Sequence, residues 1–384
     1  MSTTVLERVS SITAFEGLRE EWTELLRDSP ADCLFLTWEW CFAWWHHLAG
    51  ARRLSLLTVR RQGRLIALAP LAVRPRSLRR LLPWPGLELL GTGIAGSDYL
   101  DLIVRRGHER EALAALADAL VADNLVLELT QLPRAGSAAA ELAARLGQRD
   151  WATSESPVNV CPFIVLSGHS WASYLASLGS AHRYNFQRRL RNLTKQFDVC
   201  FEQVGCEAER RAALEVLVEL HNRRWDQRGG SESFATGELR AFYDTVSRFG
   251  LERGWLRLFV LRLDGRPVAA LHGYRYGATF SFYQAGFDPA FARHSVGLVT
   301  MGLAIKAAIE DGAGEYDLLH GAEPYKFQWA NRSRDLGRIE LFPPSAHGRL
   351  CRRVLTASRS ARRAARRLLG DTMADRLVRA ASGG

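Results

Sequence analysis

The chain matches itself. Residues 54–70, LSLLTVRRQGRLIALAP, line up with residues 256–272, LRLFVLRLDGRPVAALH, through Arg60 and Arg262, Gly63 and Gly265, Arg64 and Arg266, and Ala67 and Ala269. Each copy alternates apolar residues, turns at Gln-Gly or Asp-Gly and continues apolar, a pattern that predicts a β-hairpin. Upstream, FLTWEWCF (35–42) lines up with FATGELRAF (234–242) through Phe35/Phe234, Thr37/Thr236 and Glu39/Glu238. A threonine before an apolar-periodic run predicts a helix N-cap in each copy.

The order of elements repeats as well. Helices at 15–27 and 38–48 precede the first hairpin; a strand near 99–104, a helix near 109–122 and a strand at 125–132 follow it. In the second copy the helices are 208–226 and 237–249. After its hairpin come a strand near 279–285, a helix at 297–311 and a strand at 315–320. Two α+β units of one topology follow, with tandem duplication as the simplest cause. The expected units are 1–150, 151–344 and a basic helical tail at 345–384.

Charge is unevenly placed. The formal net charge is +10, and ten arginines against two aspartates from Ser345 onward supply eight of those charges. The remainder is nearly neutral, which argues against a body built to bind nucleic acid over a folded face. In the tail, Leu350, Val354, Ala357, Ala361, Ala364 and Leu368 recur at helical spacing among arginines. Such a helix, expected to be separable from the fold, can lie on an anionic membrane or remain solvated or partner-bound. The start resembles no signal peptide and no apolar run approaches the ~20 residues that span a bilayer, so a cytoplasmic protein is expected, at most peripheral to the membrane. Six scattered cysteines show no metal spacing and read as buried hydrophobes; no metal is expected.

Two segments carry chemistry. A helix from a Ser180 cap to about Phe197 bears Arg183, Arg188, Arg189, Arg191 and Lys195. It is either a solvated basic face or a cationic wall toward an anionic substrate. The second segment is Arg293–Trp329. Ser295, Val296, Gly297 and Leu298 open a helix whose first-turn amides and partial positive charge suit a phosphate, with Arg293 just outside. A strand then ends in Asp317 and His320, followed by Glu323, Tyr325, Lys326 and Trp329. Acids, bases and donors clustered beside aromatics suit proton transfer.

These segments resemble the GNAT acyltransferase fold, in tandem as in Fem-like transferases. DGRPVAALHGYRYGATFSFYQAGFDP, the helix opening SVGL and the run GAEPYKFQW are similar to the CelD/BcsL acetyltransferases of cellulose and exopolysaccharide biosynthesis. Glu39-Trp40, the Leu220–Trp225 stretch and the arginine helix share the pattern, over about residues 10–342. The resemblance implies tandem GNAT-like domains with mixed sheets flanked by helices. It also implies acyl transfer from acetyl-CoA or another acyl-CoA to an amine or hydroxyl of a saccharide or related small acceptor. A Fem-like aminoacyl transfer from charged tRNA and an inactive scaffold in a polysaccharide-synthesis complex are the alternatives. One departure stands out: the usual phosphate loop, Gln/Arg-x-x-Gly-x-Gly/Ala, is here Arg293-x-x-x-Gly297-Leu298. The first copy's equivalent, RRGHEREALAAL, enters its helix directly, which assigns the carrier to the second half and acceptor shaping to the first. On this resemblance Arg293, Ser295, Val296, Gly297, Leu298 and Gln284 would hold the carrier. Arg183, Arg188, His221, Arg224, Trp225 and Trp329 would meet the acceptor. Glu323 is the favoured base, with Asp317 and His320 as rivals, Tyr325 protonates the departing thiolate and Lys326 holds a phosphate or an acidic acceptor.

Overall fold

The computed structural model describes residues 4–75, 85–226 and 233–369. The first half runs β1 (Thr4–Val9), α1 (Ile12–Gly17), α2 (Arg19–Arg27), α3 (Trp38–Leu48), β2 (Arg53–Leu54), β3 (Leu56–Arg61), β4 (Arg64–Ala69), β5 (Leu71–Arg74), β6 (Gly86–Leu89), β7 (Ile103–Val104), α4 (Glu109–Asp123), β8 (Val126–Pro133) and α5 (Ala138–Gly147). It continues with β9 (Ala152–Val165), α6 (Trp171–Ser177), α7 (Ser180–Gln196), β10 (Val199–Gln203), α8 (Glu207–Asp226), α9 (Gly237–Glu252), β11 (Leu256–Leu263), β12 (Arg266–Tyr276) and β13 (Thr279–Phe287). The last elements are α10 (Val296–Glu310), β14 (Glu315–Asp317), α11 (Pro324–Trp329), β15 (Arg332–Phe342) and α12 (Ala346–Leu369).

The repeat in sequence is a repeat in structure. Gln62-Gly63 and Asp264-Gly265 both turn with positive φ at the two central residues, the geometry that a two-residue hairpin favours. Both hairpins carry a register shift at the matched site, between Val59 and Arg60 and between Leu261 and Arg262. Both arginines then donate to the carbonyl of the turn glycine, Arg60 to Gly63 at 3.0 Å and Arg262 to Gly265 at 3.2 Å. Thr37 and Thr236 cap α3 and α9 by accepting from Trp40 N–H and Leu239 N–H.

The halves join edge to edge in one continuous sheet. One sheet orders its strands β1-β3-β4-β7; the other runs β10-β11-β12-β13-β14-β9-β15-β8-β6-β5-β2. β9, which follows the first half, pairs with β14 of the second. β15, the last strand, pairs with β9 and with β8 of the first half. The matched helices α3 and α9 also pack together, with Trp38 near Phe249, Trp40 edge-on to Phe242, and Arg253 bonded to Glu39. One large apolar core therefore draws side chains from both halves.

Several expectations change. The helix placed at 15–27 breaks at Leu18. Ser180 begins α7 rather than capping it; Gly179 is the cap and contributes no side-chain bond. Only Ile103–Val104 is strand in the 99–104 stretch, because Gly91, Gly93, Gly96 and Tyr99 all take positive φ and keep 91–102 a loop. β14 stops at Asp317, whose carboxylate accepts from Leu319 N–H at 2.7 Å while Leu319 turns with positive φ. The residues after it form the short helix α11, opened by Pro324. Of the cysteines, Cys200 and Cys206 are exposed.

The tail helix is docked on the fold at its start. Cys351 is buried and, with Leu355, packs on Val126 and Phe342, and Arg359 bonds Glu340. Gly348 has no room for a side chain against Pro343. Leu350 faces outward. The arginine and apolar side chains from 362 onward lie outside the described residues. No helix among the described residues is long and apolar enough to cross a membrane.

Candidate active site

Two cavities meet on the second half. The first, about 290 Å³, lies between the start of α10, the inner faces of β12 and β13, and α11; Gly297, Leu298, Phe287, Met301 and Trp329 give it apolar walls. It opens because β13 and β14 pair only from Thr279 to Ser281 and then part. The second, about 630 Å³, lies between the halves, walled by Gly93–Gly96 of the first and by Trp225, Tyr243, Tyr283, Gln284 and His320 of the second. A register shift in the β12–β13 pairing leaves Tyr283 without a partner position between Phe282 and Gln284, which turns both Tyr283 and Gln284 into this cavity. Arg224, Phe282, Ala285 and Tyr325 line both cavities.

The mouth of the smaller cavity is cationic. Ser295 precedes α10 in the left-handed region, and no side chain caps the helix. Its first-turn amides thus face outward with the positive end of the helix dipole. Arg189 of α7 donates to the carbonyl of Arg293 at 2.9 Å, and Arg293 donates to His294. Burial, reinforced by the charges of Arg293 and Arg189, holds the His294 imidazole below its ordinary value. Ser295, Val296, Gly297 and Leu298 line this cavity, whereas Arg293 stands outside it and Gln284 lines the larger cavity.

The larger cavity is closed by a loop the sequence reading passed over, GTGIAGSDYLD at 91–101. It reaches across to the other half with bonds at three of its residues, Ala95, Asp98 and Tyr99. The hydroxyl of Tyr283 donates to the carbonyl of Ala95. Tyr99 donates to Asp317 at 2.6 Å. Asp98, fully buried, accepts from His320 N–H at 2.9 Å and from His320 Nδ1 at 2.9 Å. Gln131 of β8 donates to the same carboxylate at 3.3 Å and accepts in turn from Asn159 of β9 at 3.0 Å. Hydrogen bonding to Asp98 raises the His320 pKa against the opposing effect of burial. Three glycines in six residues followed by an aspartate were the only signal of this loop in the sequence.

The remaining nominated residues fall into distinct places. Tyr325 sits where the cavities join; burial, then the negative charge of Glu323, pushes its hydroxyl up to about 12. Lys326 is buried and donates to the carbonyls of His320 at 2.6 Å and Leu319 at 3.3 Å, so it fixes the turn rather than reaching for a phosphate. Glu323 lies 3.1 Å from Lys326 with its side chain 54% exposed. Asp317 borders neither cavity; it is buried behind Tyr99, Arg334 and Leu319. His221, Arg224 and Trp225 line the larger cavity, and burial keeps the His221 imidazole below its ordinary value. Trp329 is buried against Phe186 and His182 and meets only the smaller cavity. Arg183 and Arg188 reach neither; they bond Ala176 and Asn185 within their own neighbourhood. Among the described residues no group of side chains suits a metal ion.

The segment that forms the smaller cavity and its mouth matches a family model: residues 180–327 match the acetyltransferase (GNAT) domain. The chain carries a GNAT acetyltransferase domain. It is a transferase, and the GNAT match includes the cationic mouth, the parted strands and the Glu323–Lys326 turn. Among solved structures, FemX superposes with a TM-score of 0.62 at 13% identity, over 88% of this chain and 96% of that one. L-PGS from Bacillus licheniformis superposes with a TM-score of 0.54 at 11% identity, over 88% and 95%. At such identities the likeness is one of fold, and it extends over both halves around the GNAT domain. A comparison with curated protein sequences finds no match.

Proposed function

We propose that this GNAT protein is an acyl-CoA-dependent acyltransferase of the CelD/BcsL type, acting on a saccharide or related small acceptor at the cytoplasmic face of the membrane. The observation that carries the reading is the junction of the two cavities at Tyr325. A narrow apolar slot with a cationic, amide-lined mouth suits a pantetheine arm ending in phosphates. A wider, aromatic and polar space suits an acceptor. In this arrangement the amides of Ser295–Leu298 and the charges of Arg189 and Arg293 hold phosphate. The walls of Gly297, Phe287 and Met301 exclude water from the arm and bring the thioester to Tyr325. The Tyr325 hydroxyl, held protonated by burial, donates to the departing sulfur. The first half shapes the acceptor space through its 91–101 loop.

Acetyl-CoA titrated by calorimetry and thiol release on acetyl-CoA turnover test this. Tyr325→Phe is expected to lower thiol release by roughly 10²-fold, the weight of a positioned proton donor, with acetyl-CoA affinity unchanged. Release at the wild-type rate would remove Tyr325 from the chemistry. Failure of every acyl-CoA to bind would favour the second reading, a charged-tRNA carrier, for which the outward basic face of α7 and the FemX-like fold speak.

A further inference from the structure

The acyltransferase reading leaves the acceptor group open, and the contact between the halves bears on it. We propose that Asp98 and His320, one from each half, form the proton-accepting dyad of this site and that the group acylated is a neutral hydroxyl, giving an ester. The inference rests on the acyltransferase reading and adds the base, its positioning residue and the acceptor class.

The geometry is that of an oriented base. Asp98 is 0% exposed and spends its oxygens on His320 and Gln131. Its bond to Nδ1 fixes that nitrogen as the proton-bearing one, so Nε2 keeps a lone pair. The imidazole, 37% exposed, borders the 630 Å³ cavity, and no described protein group bonds Nε2. A second bond, from the His320 backbone N–H to Asp98, holds the residue itself. The chain Asn159–Gln131–Asp98 anchors the carboxylate from β9 and β8. Ionised groups facing the imidazole are Asp98, Lys326 and Glu323, and the last two are paired to each other.

The same cavity describes its guest. Trp225, Tyr243 and Tyr283 offer flat aromatic walls, and Gln284 and Ser233 are joined by a 3.0 Å hydrogen bond that can be traded for a guest's hydroxyls. The carboxylate that reaches the lining, Glu323, is already matched by Lys326. An acceptor amine would arrive as an ammonium and shed one proton before it could attack; a hydroxyl arrives neutral and gives up its single proton as the bond forms. One imidazole with one lone pair suits the second case. The hydroxyl oxygen bonds to the thioester carbonyl carbon while its proton passes to His320 Nε2. The carbon–sulfur bond then breaks, the electron pair leaves on sulfur, and the thiolate takes a proton from Tyr325, which His320 restores. The products are an ester and free CoA thiol.

The test uses the full chain, acetyl-CoA, and two probes: cellobiose, which offers only hydroxyls, and glucosamine, which offers both groups. Products are sorted by mild alkali, which cleaves esters and spares amides. The expected result is alkali-labile acetyl on cellobiose and no alkali-stable acetyl on glucosamine. Amide on glucosamine with cellobiose inert overturns the hydroxyl assignment, as does acetyl on neither probe while acetyl-CoA still binds. Absence of acetyl-CoA binding overturns the acyltransferase reading beneath it. For the dyad, Asp98→Asn is expected to lower kcat by roughly 10²–10⁴-fold, the span of general-base catalysis, with acetyl-CoA affinity retained. The acid limb of kcat/KM, above the ordinary histidine value of about 6.5 in the parent, moves toward that value. An unmoved limb and unchanged kcat overturn Asp98 as the positioning residue. Should Asp98→Asn fail to fold, His320→Gln, altered at a partly exposed side chain, must show the same loss of kcat, and unchanged turnover in it overturns the dyad.

Discussion

Asp317→Asn separates a structural carboxyl from a chemical one. Burial pushes the Asp317 carboxyl from its ordinary 3.8 up to about 7, against hydrogen bonds from Tyr99 and Leu319 N–H and the charge of Arg334 that pull it down. The folded protein therefore binds this proton more tightly than the unfolded chain. Between the two values the folded state carries more protons, so stability falls as pH rises through the window from about 4 to about 7. Three units of displacement correspond to at most about 4 kcal/mol, and the two units lying between pH 5 and 7 to about 3 kcal/mol. Asparagine cannot ionise, and its oxygen still accepts from Leu319 N–H. Urea unfolding of parent and variant at pH 5 and pH 8 measures the effect. The stability difference is expected to move by about 3 kcal/mol in favour of the variant on going to pH 8, while turnover stays within a few-fold because Asp317 borders neither cavity. A difference that does not move with pH would refute the buried-carboxyl argument. Lost turnover with intact acetyl-CoA binding would return Asp317 to the chemistry.

Gly297→Val should weaken acetyl-CoA binding by at least about tenfold, or 1.4 kcal/mol. A Cβ there already lies 3.2 Å from the Phe287 ring, so the branches must enter the slot or push Phe287 into it; unchanged affinity by calorimetry places the carrier elsewhere. Gly286→Ala should lower stability by about 1–3 kcal/mol, an overpacking cost. Its Cβ would stand 2.8 Å from the Leu220 carbonyl carbon, a backbone atom of α8; an unchanged urea midpoint would show that α8 yields freely. Truncation after residue 344 should lower the melting temperature, because it strips Cys351 and Leu355 from Val126 and Phe342. It should also abolish co-sedimentation with anionic vesicles at low salt; equal binding by both forms, or none by either, rejects the membrane role.

Local chemistry was legible in the sequence where it was sufficient to decide structure. Two-residue turns ending in Gly63 and Gly265 need positive φ, and Thr37 and Thr236 cap helices with their own hydroxyls; neither depends on distant partners. Long-range pairings were not legible. Asp98 and His320 stand 222 positions apart, and nothing local marks Asp98 except the glycines before it. Strand 315–320 was overrun because its apolar Leu318 and Leu319 read as β, while the Asp317 carboxylate ends the strand by turning Leu319. Lys326 looked like a phosphate ligand by type; burial against two carbonyls made it a brace. The arginine helix was read as one wall, yet only Arg189 of its cations comes to the cavity mouth, because α7 packs through Phe186, Leu190 and Leu193 and sets which face looks inward.

The two halves differ in one electrostatic detail that bears on the proposed division of labour. Helix α4 occupies in the first half the place of α10 in the second, but its first turn carries Glu109 and Glu111. Acids there complement the helix dipole by about 0.3–1 kcal/mol each, and the same charges repel a phosphate. α10 has no acid in its first turn and begins just after Arg293 and His294. A stabilised helix start and an anion site are competing uses of the same amides, and on the proposed reading the two halves take one each. The 91–101 loop, which precedes β7, carries Asp98 across to His320. The pairing of β15 with β8 joins the two halves in one sheet.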